Sequence, residues 1–155
     1  MKINSKLIMW IVSFQCVSAV LGLLMRKPLD GWYLSLVKSP LTPPGYVFGI
    51  VWPVLYLLLA VVGWKIWKLK DTDQLRRVKK VYALQMAINW SWSPVYFSMQ
   101  MIDIALGMIA LMVLLTVYLI GYFCHKDKIV SLLLLPYFFW ISFAFYLNYY
   151  TWINN

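Results

Sequence analysis

The sequence predicts an all-α membrane protein, a five-transmembrane-helix bundle with a long extracytoplasmic loop between helices 1 and 2. Three observations lead there. Of the 155 residues 63% are hydrophobic and only 12% are charged, where an ordinary globular domain carries about 25% charge. Five uncharged stretches are long enough to cross a bilayer. The basic residues collect in the gaps on one side of those stretches. A water-facing shell cannot be built from so few charges, and the same composition excludes disorder, collagen-like repeats and a disulfide scaffold. Cys16 and Cys124 lack any paired spacing and read as small apolar residues.

A hydrocarbon core about 30 Å thick needs about 20 helical residues. Uncharged stretches of that order run from Leu7 to Met25, Tyr46 to Trp64, Val81 to Ile102, Ile104 to Phe123 and Ile129 to Ile153, which makes residues 1–155 one transmembrane domain. The first stretch is preceded by Lys2 and Lys6, as a signal peptide would be. Arg26-Lys27-Pro28 then follows where small cleavage-site residues would stand, so the stretch is a helix of the bundle. The connection from Arg26 to Gly45 is long for a turn and holds Trp32-Tyr33 and Thr42-Pro43-Pro44-Gly45. Pro43 keeps Thr42 extended, Pro44 suits a first helical turn, and Gly45 permits close packing, which together predict an ordered lid over one mouth of the bundle. Pro53, Pro94 and Pro136 each interrupt a span and release a carbonyl one turn earlier. Asp103 falls at the turn between the third and fourth spans, and Tyr149, Tyr150 and Trp152 form an aromatic belt at the end of the fifth.

Fourteen Lys and Arg against five acidic residues give a net charge of +9. With five spans, eleven of the fourteen lie on the side of the amino terminus and three, Arg26, Lys27 and Lys38, on the other. That asymmetry predicts a multi-pass cell-membrane protein with its amino terminus cytoplasmic and its carboxyl terminus outside. The run from Lys65 to Lys80 becomes a juxtamembrane basic belt facing membrane lipid. No RNA-binding or helix-turn-helix pattern accompanies the charge, so nucleic acid is not the partner. His125 follows Cys124 in a charged loop without a second ligand cluster, and no metal site is expected.

Polar groups inside a span mark faces turned towards protein. Asn89, Trp92 and Tyr96 share one stripe of the third helix, while Ala83, Ala87 and Ser91 lie nearly opposite at small-xxx-small spacing, suited to close approach by a helix of the same chain or of a second subunit. The second helix repeats the aromatic stripe with Phe48, Trp52 and Tyr56, the fifth with Tyr137, Trp140, Ala144 and Leu147. Ala144 between large rings leaves a recess, into which a flat aromatic ligand could stack on Trp52 and Trp140 with a polar contact from Asn89. No Arg, Lys or Glu lies within a span, so an ion-coupled pump lacks its usual parts.

These residues resemble the TspO/MBR family, which takes in the bacterial tryptophan-rich sensory proteins and the mitochondrial translocator protein, a peripheral-type benzodiazepine receptor. The resemblance rests on Trp32-Tyr33, Leu41-Thr42-Pro43-Pro44-Gly45 with Phe48 and Trp52, Leu55-Tyr56, Asn89-Trp90-Ser91-Trp92-Ser93-Pro94, and Leu135-Pro136-Tyr137 with Trp140, Phe143-Ala144 and Leu147-Asn148. It implies a five-helix bundle, often a homodimer, that binds porphyrins such as protoporphyrin IX under the first loop, with no tightly bound cofactor. By carry-over the ligand site comprises Tyr33, Pro43, Phe48, Trp52, Asn89, Trp92, Tyr96, Trp140, Ala144 and Leu147; the spacing of Ala83, Ala87 and Ser91 offers a face for the dimer. The resemblance also implies two alternatives: light- and oxygen-dependent porphyrin degradation involving Trp52 and Trp140, and porphyrin or small-molecule transport. Two departures stand out. Lys38-Ser39-Pro40-Leu41 replaces a Lys-Pro-x-Trp pattern and removes one lid tryptophan, and the stretch from Leu147 to Asn155 has no basic residue to complete a sterol-recognition pattern.

Overall fold

A computed structural model describes residues 4–25 and 31–155. The expectations placed on Lys2, Arg26, Lys27 and Pro28 lie outside the described residues. What is described is helical, without a strand: α1 (Ser5–Leu24), the short α2 (Trp32–Ser35), α3 (Gly45–Lys68), α4 (Asp73–Ser93) running into a π-helical turn (Pro94–Ser98), α5 (Ile102–Phe123) and α6 (Lys128–Asn154). Four helices among the described residues, α1, α3, α5 and α6, are long and apolar enough to cross a membrane.

The third helix corrects the expected start at Val81 by eight residues. The search for an uncharged stretch passed over two helical turns whose apolar residues alone are buried: Leu75 and Val78 face the core while Arg76, Arg77 and Lys80 stay exposed. Thr72 caps this start, its Oγ1 accepting from the Leu75 N–H at 3.1 Å. Much of the basic belt is therefore helix, and the connection shrinks to the few residues between Lys68 and Asp73. The same helix also ends earlier than expected. Pro94 follows its last α-helical residue, and the chain passes through the π-helical turn to a turn where Gln100 has φ 58°, a left-handed conformation that costs a side-chain-bearing residue energy. Pro44 is shifted by one position as well, capping α3 instead of entering its first turn.

The long helices close a ring in the order α1, α3, α6, α5, α4 and back to α1, with the most extensive packing between α5 and α6. Those two run antiparallel: the Ser131 hydroxyl donates to the Ile120 carbonyl at 3.0 Å, and further along the Tyr137 hydroxyl meets the Met112 sulfur at 3.7 Å. At the basic end, Lys65 pairs with Asp127 at 3.0 Å. Asp127 in turn caps α6 through the Ile129 and Val130 N–H groups. Partial burial pushes the Asp127 carboxyl up, but the Lys65 ammonium and the two backbone donors outweigh it and hold the group below the usual carboxylate range.

Glycine sets the closest approach. A Cβ on Gly63 would collide with the Trp10 ring and meet the Tyr82 hydroxyl at 2.9 Å, so α1, α3 and α4 converge where α3 has no side chain. That proximity lets Tyr82 donate to the Leu59 carbonyl at 2.7 Å.

Candidate functional site

The inward polar group expected on α4 organises the middle of the bundle. Asn89 is 2% exposed. Its Oδ1 accepts from the Tyr56 hydroxyl of α3 and its Nδ2 donates to the Tyr137 hydroxyl of α6, both at 2.8 Å. Gln85, one turn earlier, also donates to the Tyr137 hydroxyl at 2.8 Å. Three helices are thus tied by a knot of polar side chains enclosed in apolar surroundings, where losing one partner costs about 1–3 kcal/mol. Asn89 presents almost no surface, and the partners it does have are protein side chains.

Aromatic rings are arranged above and beside this knot. The Phe48 and Trp140 rings meet edge to face with centroids 5.6 Å apart, joining α3 to α6. Trp52 lies 5.6 Å from Tyr56. On α4 and its π-helical continuation, Trp92 stacks on Tyr96 at 5.0 Å, and the Trp92 indole N–H donates to the Ala105 carbonyl of α5 at 3.0 Å. The lid reaches the same group: Trp32 and Tyr33 pack on Tyr96 at 5.9 and 6.3 Å, and Tyr33 on Phe97 at 5.3 Å. Burial pushes the Tyr33 phenol above its ordinary range, so it stays neutral. Ala144 and Leu147 are half-buried on α6, and Pro43 is half-buried in the extended segment leading into α3.

The lid is held at several points that local sequence patterns do not reveal. Lys38 donates to the carbonyls of Tyr33 and Leu36 at 2.8 and 3.1 Å and lies over the Tyr33 ring, closing the end of α2. Ser39, 4% exposed, shares a 3.2 Å hydrogen bond with the Tyr146 hydroxyl. The side chain of Asn155 accepts from the Val37 N–H at 2.9 Å and donates to its carbonyl at 3.1 Å, in the manner of a neighbouring strand. The lid therefore docks on Tyr96 at one side and on the end of α6 at the other.

A separate cavity of about 410 Å³ opens between α3 and α6. It is lined by Ile50, Val51, Val54, Leu55, Pro136, Phe139, Trp140 and Phe143, and of the expected site residues only Trp140 borders it. Ile50, Val54 and Phe139 are exposed, so the groove faces away from the bundle axis. Ala83, Ala87 and Ser91 are exposed too, with the Ser91 hydroxyl turned back onto the Ala87 carbonyl at 2.8 Å. This small-residue stripe is not an intramolecular packing face. Among the described residues there is no cluster of three metal-ligating side chains.

Sequence reasoning named Tyr56 and Tyr137 but not Gln85, and it missed the lid contacts of Lys38, Ser39 and Asn155. A polar residue one turn from Asn89 was the available signal for Gln85. Contacts spanning 118 residues, such as Val37 with Asn155, leave none.

The TspO/MBR family profile matches residues 9–153. A tryptophan-rich protein TspO of Archaeoglobus fulgidus is 31% identical over 150 residues, covering 97% of each chain. A tryptophan-rich sensory protein of Cereibacter sphaeroides is 33% identical over 81% of this chain and 77% of its own, and the translocator protein of Bos taurus is 31% identical over 80% and 75%. With apolar helices, an aromatic cluster beneath a docked lid and a match over nearly its whole length, the chain belongs to the TspO/MBR family of membrane proteins.

Proposed function

We propose that the chain is an integral membrane tetrapyrrole-binding protein of the translocator or sensor type, which takes a planar macrocycle such as protoporphyrin IX beneath the lid. The observation that carries this reading is the junction of α3 and α6. Trp140 packs there against Phe48, and Ala144, one turn further along α6, presents only a methyl group beside them. A flat apolar ligand gains contact with indole faces at such a junction and needs the space that a small residue leaves. Trp52, Trp92, Tyr96 and Leu147 supply further apolar wall, Tyr33 and Pro43 the cover. Asn89 contributes by fixing Tyr56 and Tyr137. Relatives named tryptophan-rich sensory protein and translocator protein agree with a ligand-handling role.

In this reading α4 and its π-helical turn form a fifth crossing, since the half from Val81 onward carries no charge. The basic ends of α3, α4 and α6 face the cytoplasm by the positive-inside rule, which places the lid outside. The exposed Ala83, Ala87 and Ser91 stripe meets a second copy.

The test is a protoporphyrin IX titration of purified protein in nanodiscs, in the dark, comparing wild type with Ala144→Phe. Saturable binding is expected in the wild type, with affinity reduced about tenfold or more in the variant as the phenyl ring fills the recess. Equal affinity of the two proteins would overturn the placement, and absence of saturable wild-type binding would overturn the ligand.

A further inference from the structure

Among the described residues one buried side chain leaves both a donor and an acceptor without a partner. Asn148 is 3% exposed, and neither its Oδ1 nor its Nδ2 makes a hydrogen bond. Other buried polar groups differ in degree. Asn89 is bonded through both amide atoms, and Thr116, Ser131 and Thr151 each donate to a backbone carbonyl. Gln85 lacks a partner only at Oε1, while Trp64, Trp90 and Trp140 each lack one for a single indole N–H. A buried amide with both halves unpaired is a costly feature, and the cost is recovered when a group offering both a donor and an acceptor arrives.

Its position on α6 says what could bring that group. Asn148 lies one turn beyond Ala144 and two turns beyond Trp140, roughly 8 × 1.5 Å or about 12 Å along the helix axis from the latter. It also lies two turns before Asn155, the residue that ends α6 and holds the lid at Val37. The amide thus continues the Trp140–Ala144 stripe of α6 towards the lid end of the helix.

We propose that Asn148 is the specificity-determining residue of the site, reading a carboxylic acid or carboxamide arm carried by the apolar ligand. The inference rests on the tetrapyrrole-binding reading above and adds which part of the ligand is recognised. A carboxylic acid in hydrocarbon is favoured in its neutral form. Its O–H then donates to Oδ1 while its carbonyl oxygen accepts from Nδ2, a two-bond pair that satisfies both orphaned atoms. An ester retains only the acceptor, and an alkyl arm retains neither. With the macrocycle against Trp140 and Ala144, an acidic arm pointing along α6 reaches Asn148 under the lid.

The test compares protoporphyrin IX, its dimethyl ester and octaethylporphyrin in dark titrations of wild type and Asn148→Leu, a replacement with the same branching and number of side-chain heavy atoms that removes both polar atoms. Wild type should prefer the acid over octaethylporphyrin by about tenfold, with the ester between them. In Asn148→Leu that preference should vanish through weaker binding of the acid, octaethylporphyrin affinity staying within about twofold. The apo variant should melt no lower than wild type, because an unsatisfied amide has been removed. Should Asn148→Leu not purify, Asn148→Ala must show the same loss of preference. An unchanged preference in the variant would overturn the inference and leave an enclosed water as the partner of the amide. If wild type binds none of the three porphyrins, the tetrapyrrole reading fails and this inference falls with it; binding with an unaltered ranking sinks the inference alone.

Discussion

Asn89 and Gly63 illustrate how differently single residues can be read from the chain. A lone Asn in an apolar stretch points inwards because hydrocarbon offers it no partner, and the structure places it accordingly, 2% exposed between Tyr56 and Tyr137. Its partners are legible as aromatic positions, and their hydroxyls each bond one atom of the Asn89 amide. Gly63 gave no signal at all. Its importance comes from Trp10, 53 positions earlier, and from Tyr82, which close on it from two other helices. Gly63→Ala should therefore destabilise by about 1–3 kcal/mol through overpacking and displacement of the Tyr82 hydroxyl from the Leu59 carbonyl. Gly49→Ala, on the same helix with no atom within 4 Å of the new methyl, serves as control. Thermal unfolding in detergent should show a lower midpoint for the first variant and an unchanged or higher one for the second; equal midpoints would contradict the close packing at Gly63.

At the scale of elements, period was the most informative signal. Stripes three and four residues apart separate Asn89, which is buried, from Ala83, Ala87 and Ser91, which are exposed; of the α3 and α6 stripes Tyr56 and Tyr137 are buried, while Phe48, Trp52, Trp140, Ala144 and Leu147 are half-buried. Boundaries were less legible where charge and helix coexist. The start of α4 is amphipathic, so its basic residues made it look like a loop, and Pro94 converts its other end into a π-helical turn that hydropathy cannot register. The exposed stripe has room for a second helix backbone at close range. On the dimer face proposed for this stripe, Ala87→Leu should shift dimer towards monomer in chemical crosslinking and light scattering, since the larger side chain holds the backbones apart. An unaltered oligomer distribution would remove α4 from the interface.

For the whole molecule, composition and charge asymmetry dictate the environment, and the ring of helices follows from the need to bury inward faces where lipid cannot satisfy them. The lid is the part that composition could only outline. Its prolines and aromatics foretell order, but its attachment to Tyr96, Tyr146 and Asn155 depends on the fold bringing residues 32–39 against the π-helical turn and the end of α6. The central claim is that a tetrapyrrole lies inside this ring beneath the lid and not in the lipid-facing groove between α3 and α6. The most direct measurement is an experimental structure with protoporphyrin IX bound in the dark. A macrocycle bordered by Trp52, Trp140 and Ala144 with the lid closed over it is the expected result; a macrocycle seated on Ile50, Val54 and Phe139 at the outer groove would contradict it.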